Sequence, residues 1–417
     1  MQTLKSENNW TGGQYSIFRM IVGLYLLVHF VQLIPWGTEM FSNNGVLPDS
    51  GASPFIFLFP NMLGVWDSPI VVTALLSFGS LLSIFFAIGY YDRVAALCLW
   101  YIWACLFGRN PLIANPSIPY VGWLFLAHAF LPKSPYGSLE AKDRLDPGGG
   151  WKMPQEIYAV AWMVMAISYT YSGYTKLISP SWVNGTAFYE VLNNPLARPG
   201  IVRDLLLELP SVFLKVATWS ALSAELLFLP LVFFRKLRPW IWLVLVGMHL
   251  GLLTIVSFAD LSLGMLMMHF FTFNPGWIPG LKQNAKDKIF YDGNCGLCHG
   301  AVRFVLAEDG SERFLFAALQ SEAFAKAVSE DNRNKLSDSI VVICEDGKLL
   351  MRSEAILYIM KRLGGLWRLI AAVFALIPRL LRDFVYDKVA EIRYRLFPKP
   401  SDLCPLMPVN LRSRFFS

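Results

Sequence analysis

Long apolar segments dominate the first two thirds of the chain. A helix needs about 20 mostly apolar residues to cross a bilayer, and the clearest candidates lie at residues 16–34, 69–90, 156–178, 211–234 and 240–258. Shorter or interrupted candidates lie at residues 93–108, 118–131 and 260–273. The pattern predicts a multi-span α-helical membrane domain of about eight helices. Asp260 leaves open whether its region forms two helices or one helix with a re-entrant end.

The hydrophobic pattern changes after Asn274-Pro275-Gly276-Trp277, which ends the last apolar segment and marks a domain boundary. Beyond it, short apolar runs typical of strands alternate with helical spacing. Strands are predicted at residues 288–291, 314–316 and 340–343, with a helix at 296–307 and a hairpin turn at 345–348. Ser353 is predicted to cap the next helix. The order predicts an α/β domain over residues 285–410, following a membrane domain over residues 1–280.

A helical extension is predicted at residues 366–397, where Pro378 kinks or divides the helix. Its basic side chains allow two interpretations. The extension packs on the α/β domain, or it lies on an anionic membrane surface.

Composition and charge support this division. The chain is 55% hydrophobic and only 16% charged, whereas soluble proteins carry about 25% charged residues. Residues 1–281 hold 15 lysines and arginines, and the much shorter remainder holds 21. The net charge of +6 forms no single block, so nucleic acid is not expected as a partner.

The loop charges predict an orientation through the excess of Lys and Arg on the cytoplasmic side. The loop at 35–68 has no Lys or Arg and is placed outside, whereas the loops at 133–154 and 235–238 are basic. The first apolar segment lacks a cleavage site and is interpreted as a retained span. Eight spans then place the α/β domain in the cytoplasm, in a multi-pass protein of the cell inner membrane.

The sharpest chemical motif is Asp292-Gly-Asn-Cys295-Gly-Leu-Cys298. A predicted strand ends just before it, and the two cysteines open a predicted helix. A helix N-terminus favours a thiolate, which is the nucleophile in disulfide exchange. The second cysteine, three residues on, can resolve a mixed disulfide. Cys295 is therefore the candidate nucleophile and Cys298 the candidate resolving thiol.

Other interpretations of these residues stay open at this point. The cysteine pair could be half of a zinc site or a structural dithiol without turnover, although the strand–helix setting favours redox chemistry. Asp292 could shuttle protons or only hydrogen-bond the turn. Cys344 is expected to be an inert core residue, and Cys404 a third redox thiol or an exposed bystander.

Residues 287–408 resemble the DCC family of predicted thiol–disulfide oxidoreductases. The matching positions are Asp292, Cys295, Cys298, Phe316-x-x-Leu319-Gln320-Ser321, Ser353-Glu354-Ala355-Ile356, Tyr386-x-x-x-Ala390-x-x-Arg393-Tyr394-x-x-Phe397 and Cys404-Pro405. The resemblance implies a thioredoxin-like fold. One departure is that residues 337–340 lack the proline that classical thioredoxins place before their third strand.

Polar side chains inside the apolar segments are the second signal, because they are costly in lipid. The residues concerned are His29, Lys176, Glu225, His249, Asp260 and His269. Lys176 ends an aromatic-rich segment, where it could snorkel to the interface or act as a desolvated base. His249 and Glu225 are predicted to bind substrate.

Gly173-x-x-Lys176-Leu177, Trp182-Val183-x-Gly185, His249 and the exit Phe273-Asn274-Pro275-Gly276-Trp277 resemble the vitamin K-dependent γ-carboxylases and their bacterial relatives with an HTTM domain. The resemblance covers about residues 12–280 and implies that Lys176 is a base toward a quinol, with a quinone as the candidate cofactor. Two departures are Pro135, at a position where the carboxylases have histidine, and a missing large lumenal region. Carboxylation of protein glutamate is therefore not expected.

Together, the patterns predict a membrane-bound thiol–disulfide oxidoreductase whose catalytic residues are Cys295, Cys298, Asp292 and Lys176. Its expected partners are membrane lipid and an unidentified thiol or disulfide, with no metal. Coupling to a quinone-like or lipid-like substrate in the membrane domain is a further expectation. The alternative is a non-enzymatic membrane scaffold or transporter with a redox-sensing cytoplasmic domain.

Overall fold

The structure is a computed structural model that describes residues 8–113, 115–282, 285–333, 340–396 and 408–416. The chain divides into two compact units. The helical unit comprises residues 18–131 and 153–273, and the mixed unit comprises residues 8–17, 132–152 and 274–417. The mixed unit thus includes three stretches that the predicted boundaries assigned to the membrane domain: residues 8–17, 132–152 and 274–280.

The helical unit is built from helices of very different length. Its helices, the first of which starts among residues of the mixed unit, are Gly12–Leu33 (α1), Gly37–Phe41 (α2), Pro69–Ile88 (α3), Asp92–Arg109 (α4), Ile118–Phe130 (α5), Gln155–Lys176 (α6), Pro180–Val183 (α7), Ala187–Leu192 (α8), Ile201–Glu208 (α9), Ser211–Leu226 (α10), Phe228–Val232 (α11), Arg238–Ile255 (α12) and Ala259–Thr272 (α13). Helices thus occupy all eight segments in which the hydrophobic pattern predicts a span.

Three helical stretches among the described residues are long and apolar enough to cross a membrane: Gly12–Phe41, Pro69–Ile88 and Arg238–Ile255. The pair α9 and α10, bent by 108°, makes a fourth if it is counted as one broken span. The other predicted segments form helices that fall short of this criterion of length and composition. The number of membrane passes therefore stays a prediction.

Local signals in the sequence explain where these helices begin and end. Ser68 caps α3, with its side chain accepting a hydrogen bond from the Val71 amide, and Pro69 occupies the first turn. Gly89 ends α3 in the left-handed conformation, at φ 71°. The open question at Asp260 is answered by two helices, α12 and α13, because Asp260 lies in the first turn of the second.

The mixed unit contains a four-stranded sheet with strand order β2-β1-β3-β4. The strands are Asp287–Tyr291 (β1), Phe314–Ala318 (β2), Val341–Ile343 (β3) and Leu349–Met351 (β4). β1 pairs with β2 in parallel and with β3 antiparallel, and β3 forms an antiparallel hairpin with β4. This mixed sheet is consistent with a thioredoxin-like domain, and the predicted order of strands and helices is confirmed.

Side chains alternate across the sheet and build a core on each face. Ile289 and Phe316 face the larger core, which also contains both cysteines of the motif. Phe290 and Ala317, their neighbours along the strands, face a smaller core against Phe324. The dithiol is therefore part of the packing of the larger face.

The helices of the mixed unit are Gly296–Glu308 (α14), Glu322–Ala327 (α15), Glu330–Arg333 (α16), Arg352–Leu363 (α17), Gly365–Ala375 (α18), Arg379–Leu396 (α19) and Val409–Arg412 (α20). Pro378 precedes α19 and so divides the predicted extension. The prediction that Ser353 caps its helix is wrong. Met351 holds the cap position, and the Ser353 hydroxyl instead donates to Asp383 at 2.5 Å.

A buried carboxylate ties the end of α14 to two other segments of the mixed unit. Glu308 accepts hydrogen bonds from the Thr11 hydroxyl, from the Gly13 amide at 2.8 Å and from the Trp367 indole at 2.6 Å. An ideal Cβ at Gly13 would lie 2.6 Å from the Glu308 carboxylate. Glycine at this position therefore permits the close approach.

Candidate dithiol active site

The loop between β1 and α14 is a tight turn organised by its own side chains. The Asp292 carboxylate accepts a hydrogen bond from the Asn294 amide at 2.9 Å, which is the local pattern expected of Asp in turns. The Cys295 amide then donates to the Asp292 carbonyl at 3.2 Å. The turn delivers Cys295 directly to the start of the helix.

Cys295 is the N-cap residue of α14. Its backbone is extended, with φ −112° and ψ 117°, and its sulfur accepts a hydrogen bond from the Cys298 amide at 3.4 Å. Unpaired amides and the helix dipole favour negative charge at this end of a helix. The prediction that the two cysteines lie at the start of a helix is confirmed.

Both sulfurs lie inside the hydrophobic core of the mixed unit. Cys295 is fully buried, Cys298 is 4% exposed, and both are free thiols. Burial raises the pKa of Cys298 above its ordinary value, and the adjacent Cys295 side chain raises it further, whereas the Arg393 charge opposes the rise. Cys298 is therefore protonated at neutral pH, which suits a resolving thiol better than an attacking one.

Asp292 is the polar centre of the site and is itself 3% exposed. Gln320 bridges the turn: its Nε2 donates to Asp292 Oδ1 at 3.0 Å, and its Oε1 accepts from the Gly293 amide at 3.2 Å. The second carboxylate oxygen pairs with the Arg393 guanidinium at 3.4 Å. Asp292 therefore hydrogen-bonds the turn and also forms a buried ion pair, whereas its role as a proton shuttle stays a prediction.

Two side chains of helix α19, Tyr386 and Arg393, lie near the dithiol. Arg393 reaches Asp292, and the Tyr386 hydroxyl accepts from the Ile340 amide at 3.2 Å. Burial raises the pKa of Tyr386, and the nearby thiols of Cys298 and Cys295 add to the rise. In the sequence, Gln320, Tyr386 and Arg393 are visible only as family-matching positions without a role. Their separation from the motif along the chain hides their contacts with it.

The zinc interpretation gains no support from the neighbouring histidine. His299 Nε2 hydrogen-bonds the Gly293 carbonyl at 3.0 Å, so this nitrogen is engaged within the turn. Across the described ranges, no group of three or more His, Cys, Asp or Glu side chains is arranged to hold a metal ion. Cys344 is buried in the larger core, as expected of an inert residue. Cys404 and residues 337–339 lie outside the described residues.

The helical unit brings Lys176 and Glu225 together as a close ion pair. Lys176 Nζ lies 2.5 Å from both carboxylate oxygens of Glu225 and 4.5 Å from the centroid of the Trp182 ring. Gly173, one turn earlier on α6, makes this contact possible. An ideal Cβ at Gly173 would lie 2.9 Å from the Leu226 backbone nitrogen, so only glycine lets α6 approach α10 so closely.

His249 belongs to a different hydrogen-bonded group in the same unit. The Tyr169 hydroxyl lies 2.7 Å from His249 Nε2 and 2.8 Å from His269 Nε2. Both histidines are buried, and their Nδ1 atoms have no hydrogen-bond partner within the described segments. The structure thus joins Lys176 to Glu225, but joins His249 to Tyr169 and His269, two partners to which no role was given.

Comparison with known proteins concerns the mixed unit. The DCC1-like thiol-disulfide oxidoreductase family matches residues 289–399. The uncharacterized protein YuxK of Bacillus subtilis (strain 168) is 33% identical over 127 residues, which are 30% of this chain and 91% of that protein. A chloroplastic DCC family protein of Arabidopsis thaliana is 36% identical over 125 residues, 30% of this chain and 72% of that protein. No solved structure is significantly similar to the chain.

Proposed function

Because this chain belongs to the DCC family of thiol–disulfide oxidoreductases, we propose that Cys295 and Cys298 reversibly exchange a disulfide with a partner thiol or disulfide. The observation that carries the proposal is the position of Cys295 at the cap of α14, with Cys298 one turn further on. Membership of the family indicates redox chemistry. The geometry supports Cys295 as the nucleophile and Cys298 as the resolving thiol.

In the first step, the Cys295 thiolate attacks one sulfur of a partner disulfide. A bond forms between Cys295 and that sulfur, the partner's own S–S bond breaks, and the other partner sulfur leaves as a thiolate that takes up a proton. The amides at the start of α14 stabilise the attacking thiolate.

In the second step, Cys298 loses its proton and attacks the Cys295 sulfur. The Cys295–Cys298 disulfide forms, the bond between Cys295 and the partner sulfur breaks, and that sulfur leaves as a thiolate that takes up a proton. The partner gains two electrons and two protons, and the dithiol loses them. We assign Asp292 as the acceptor of the Cys298 proton, because it is the buried carboxylate of the turn that leads into the dithiol.

Access is the main constraint on this mechanism. Cys295 is fully buried, so a protein disulfide reaches it only after the side chains around it move. Helix α19 provides two of these side chains, Tyr386 and Arg393, and the latter is held by its ion pair with Asp292. We infer that movement of α19 precedes exchange.

The test is to trap the intermediate on the full chain. Cys298→Ser removes the resolving thiol, so glutathione disulfide should leave a stable glutathione adduct on Cys295, detected by mass spectrometry. Cys295→Ser should form no such adduct on Cys298 at neutral pH, because Cys298 is protonated. Equal modification of both single variants would contradict the assigned roles, and no adduct on either would contradict exchange itself.

The helical unit extends the proposal to a membrane. Three helices long and apolar enough to span a bilayer suggest membrane association. We propose that the chain is a multi-pass protein of the inner membrane with its dithiol on the cytoplasmic side. Alkaline carbonate extraction of the native membranes tests the first part, since an integral protein stays in the pellet. Protease accessibility of the mixed unit in sealed vesicles tests the second.

The resemblance to HTTM proteins, with Lys176 as a base and a quinone as cofactor, stays a prediction. Lys176 Nζ lies 2.5 Å from the Glu225 carboxylate, so its side chain is engaged in an ion pair. The described geometry therefore fits an ion pair better than a free base, and we derive no catalytic step through Lys176. A Lys176→Met variant with unchanged turnover in a quinone-linked assay would rule out the catalytic role.

A further inference from the structure

Helices α18 and α19 present an apolar surface on the outside of the mixed unit. We call it the apolar corner, and it consists of the exposed side chains of residues 369–385, around the junction of the two helices. Its large members, each between 43% and 87% exposed, are Leu369, Val373, Phe374, Leu376, Leu380, Leu381, Phe384 and Val385. Exposed apolar patches of this kind mark sites of interaction with a protein or a membrane.

The side of α19 that packs on the rest of the mixed unit is polar. The Asp383 carboxylate accepts a hydrogen bond from the Ser353 hydroxyl at 2.5 Å, and the Tyr386 hydroxyl accepts one from a backbone amide beside β3 at 3.2 Å. Arg379 pairs with Asp383 at 3.3 Å and with Glu354 at 3.1 Å. A surface helix usually packs its apolar side inward and exposes its polar side. The first half of α19 shows the reverse, so its outer side requires an apolar environment.

The start of α18 lies beside the first turn of a candidate membrane span. The Leu366 amide donates to Gln14 Oε1 at 2.9 Å, and Gln14 lies in the first turn of α1, within the candidate span Gly12–Phe41. The Gly365 amide donates to the Ile278 carbonyl at 2.7 Å, shortly after the end of α13. A helix of 11 residues such as α18 is about 16 Å long. The apolar corner therefore lies within that distance of the end of a span, where the headgroups of a bilayer would lie.

The charges beyond the apolar corner suit an anionic lipid surface. Residues 366–396 contain six lysines and arginines against three aspartates and glutamates, a net charge of +3. Lys388 and Arg395 follow Leu381 at intervals of seven residues, so they lie on the same exposed side, together with Glu391, which pairs with Lys388 at 2.9 Å. Basic side chains beside an apolar surface bury their stems and reach headgroup phosphates. A second copy of the chain would instead bring two surfaces of like charge together.

We propose that the apolar corner inserts into the surface of the membrane, at the boundary between headgroups and acyl chains, with Lys388 and Arg395 on anionic headgroups. The inference rests on the membrane part of the proposed function. It also bears on the dithiol, because Arg393, on the inner side of α19, pairs with Asp292. Arg393 lies about 12 Å along the helix from Val385, at 1.5 Å per residue. One helix thus carries both the lipid contact and a contact with the dithiol turn.

The test places the photo-crosslinking residue p-benzoylphenylalanine at Leu380 in the full chain, within nanodiscs of phosphatidylcholine and phosphatidylglycerol. Leu380 is 87% exposed, so the larger side chain leaves the packing of the mixed unit intact. Irradiation should join this position to phospholipid, which mass spectrometry detects as lipid mass on its peptide. The same probe at Lys326, whose side chain is 78% exposed on α15, is the control and should give no lipid adduct above the level of the dark sample.

Two charged variants test the corner as a whole. Val373→Glu combined with Phe384→Glu should lower the lipid adduct at Leu380 at least about tenfold, because burial of one such side chain changes an equilibrium constant by more than that. Ala325→Glu combined with Ala327→Glu adds the same charges at exposed positions of α15 and should leave the adduct unchanged.

The outcomes separate this inference from the proposed function. In a chain embedded in the nanodisc, an adduct at Leu380 to a second copy or to the chain itself, or no adduct, would overturn the membrane contact of the corner alone. An adduct that the charged variant leaves undiminished would do the same. A chain that does not enter nanodiscs would contradict the membrane part of the proposed function, and this inference with it.

Discussion

The two units bury polar side chains in contrasting ways. Around the dithiol, Asp292 has partners on both carboxylate oxygens: a turn amide and Gln320 on one, and Arg393 on the other. In the helical unit, His249 and His269 share one tyrosine hydroxyl, and their Nδ1 atoms have no partner among the described residues. Both oxygens of the Asp292 carboxylate thus have partners, whereas each of the two histidines has a partner on only one ring nitrogen among the described residues.

The contrast concerns how completely the buried polar groups are hydrogen-bonded. A buried polar group without a partner costs about 1–3 kcal/mol, and evolution tolerates that cost mainly where function needs it. A satisfied network instead fixes a reactive group in place, as Asp292 fixes the turn before Cys295. In the mixed unit the partners of Asp292 hold the turn before Cys295, whereas in the helical unit one tyrosine hydroxyl joins two buried histidines.

The largest expected effect is on the rate of disulfide exchange, and it distinguishes Cys295, the proposed nucleophile, from the buried Cys344. Cys295→Ser should abolish disulfide exchange with glutathione, because a hydroxyl is not a comparable nucleophile at neutral pH. Cys344→Ser removes another core cysteine and should leave the exchange rate within about twofold, since Cys344 lies outside the motif. Stopped-flow thiol assays measure both. Residual exchange in Cys295→Ser would show that another cysteine is the nucleophile.

The next effect concerns the stability of the mixed unit and a second buried carboxylate, Asp287. Asp287 is fully buried, and it accepts hydrogen bonds from Arg362 at 2.9 Å and from Tyr358 at 3.1 Å. Asp287→Ala leaves the Arg362 charge buried, so it should lower the free energy of unfolding by about 3–5 kcal/mol. Alkylation of Cys295 and Cys298 in increasing urea measures this on the full chain.

A matched exposed pair controls for the loss of a charge alone. Lys326 and Glu322 form an ion pair in which both side chains are largely exposed. Glu322→Ala should therefore change the same free energy by no more than about 1 kcal/mol. Equal losses of unfolding free energy in Asp287→Ala and Glu322→Ala would mean that the buried ion pair stabilises the fold no more than an exposed pair does.

A third effect tests close packing in the helical unit. Gly173→Ala places a methyl group 2.9 Å from the Leu226 nitrogen, so α6 and α10 must separate. We expect the free energy of unfolding of the helical unit to fall by about 1–3 kcal/mol. Faster alkylation of the buried Cys105 would measure this change. Gly247→Ala, on α12 with no atom within 4 Å of the added methyl, should be neutral or stabilising by up to about 1 kcal/mol. If both variants behave alike, Gly173 does not set the helix spacing.

The smallest effect is a dependence on pH in the mixed unit. Burial raises the pKa of Glu308 above its ordinary value of 4.5, although hydrogen bonds from Thr11 and Trp367 oppose the rise. The folded state therefore binds this proton more tightly than the unfolded state. The contribution is fully present below pH 4.5 and is lost as the pH rises through the raised pKa.

The measurement compares unfolding free energies of the full chain and Glu308→Gln across that pH range, again by alkylation of Cys295. The difference between the two proteins should change with pH in favour of the variant as the pH rises. The exposed Glu322→Gln serves as control and should give a parallel curve. A difference between the full chain and Glu308→Gln that grows in the opposite direction would contradict the assigned shift.

Much of the fold was readable from the sequence because its signals are local. The apolar segments mark the helices, the Pro-Gly sequence after Phe273 marks the change of pattern, and Pro378 divides the last helices. The Cys295 turn was also readable, since three of its hydrogen bonds join residues that lie within 292–299. Ser353 misled the prediction because its hydroxyl has a distant partner, Asp383, that outcompetes the local cap.

The rest of the two sites depends on long-range contacts that no local pattern encodes. Arg393 and Gln320 reach Asp292 from 101 and 28 residues away along the chain. In the helical unit, the pairing of Lys176 with Glu225 depends on a glycine that allows two helices to touch. A cavity of about 380 Å³ in the helical unit, lined by His29 and Asp260 among other residues, is formed by segments from both ends of the unit, so no local pattern in the sequence marks it.

The most direct test of the central claim is a redox titration of the full chain in glutathione buffers of increasing oxidising strength. Alkylation of remaining thiols and mass spectrometry of the Cys295 peptide follow the reaction. We expect one reversible two-electron transition that joins Cys295 to Cys298 and returns to free thiols on reduction. Thiols that stay reduced in the most oxidising buffer, or a stoichiometric zinc ion held by the two sulfurs, would contradict it.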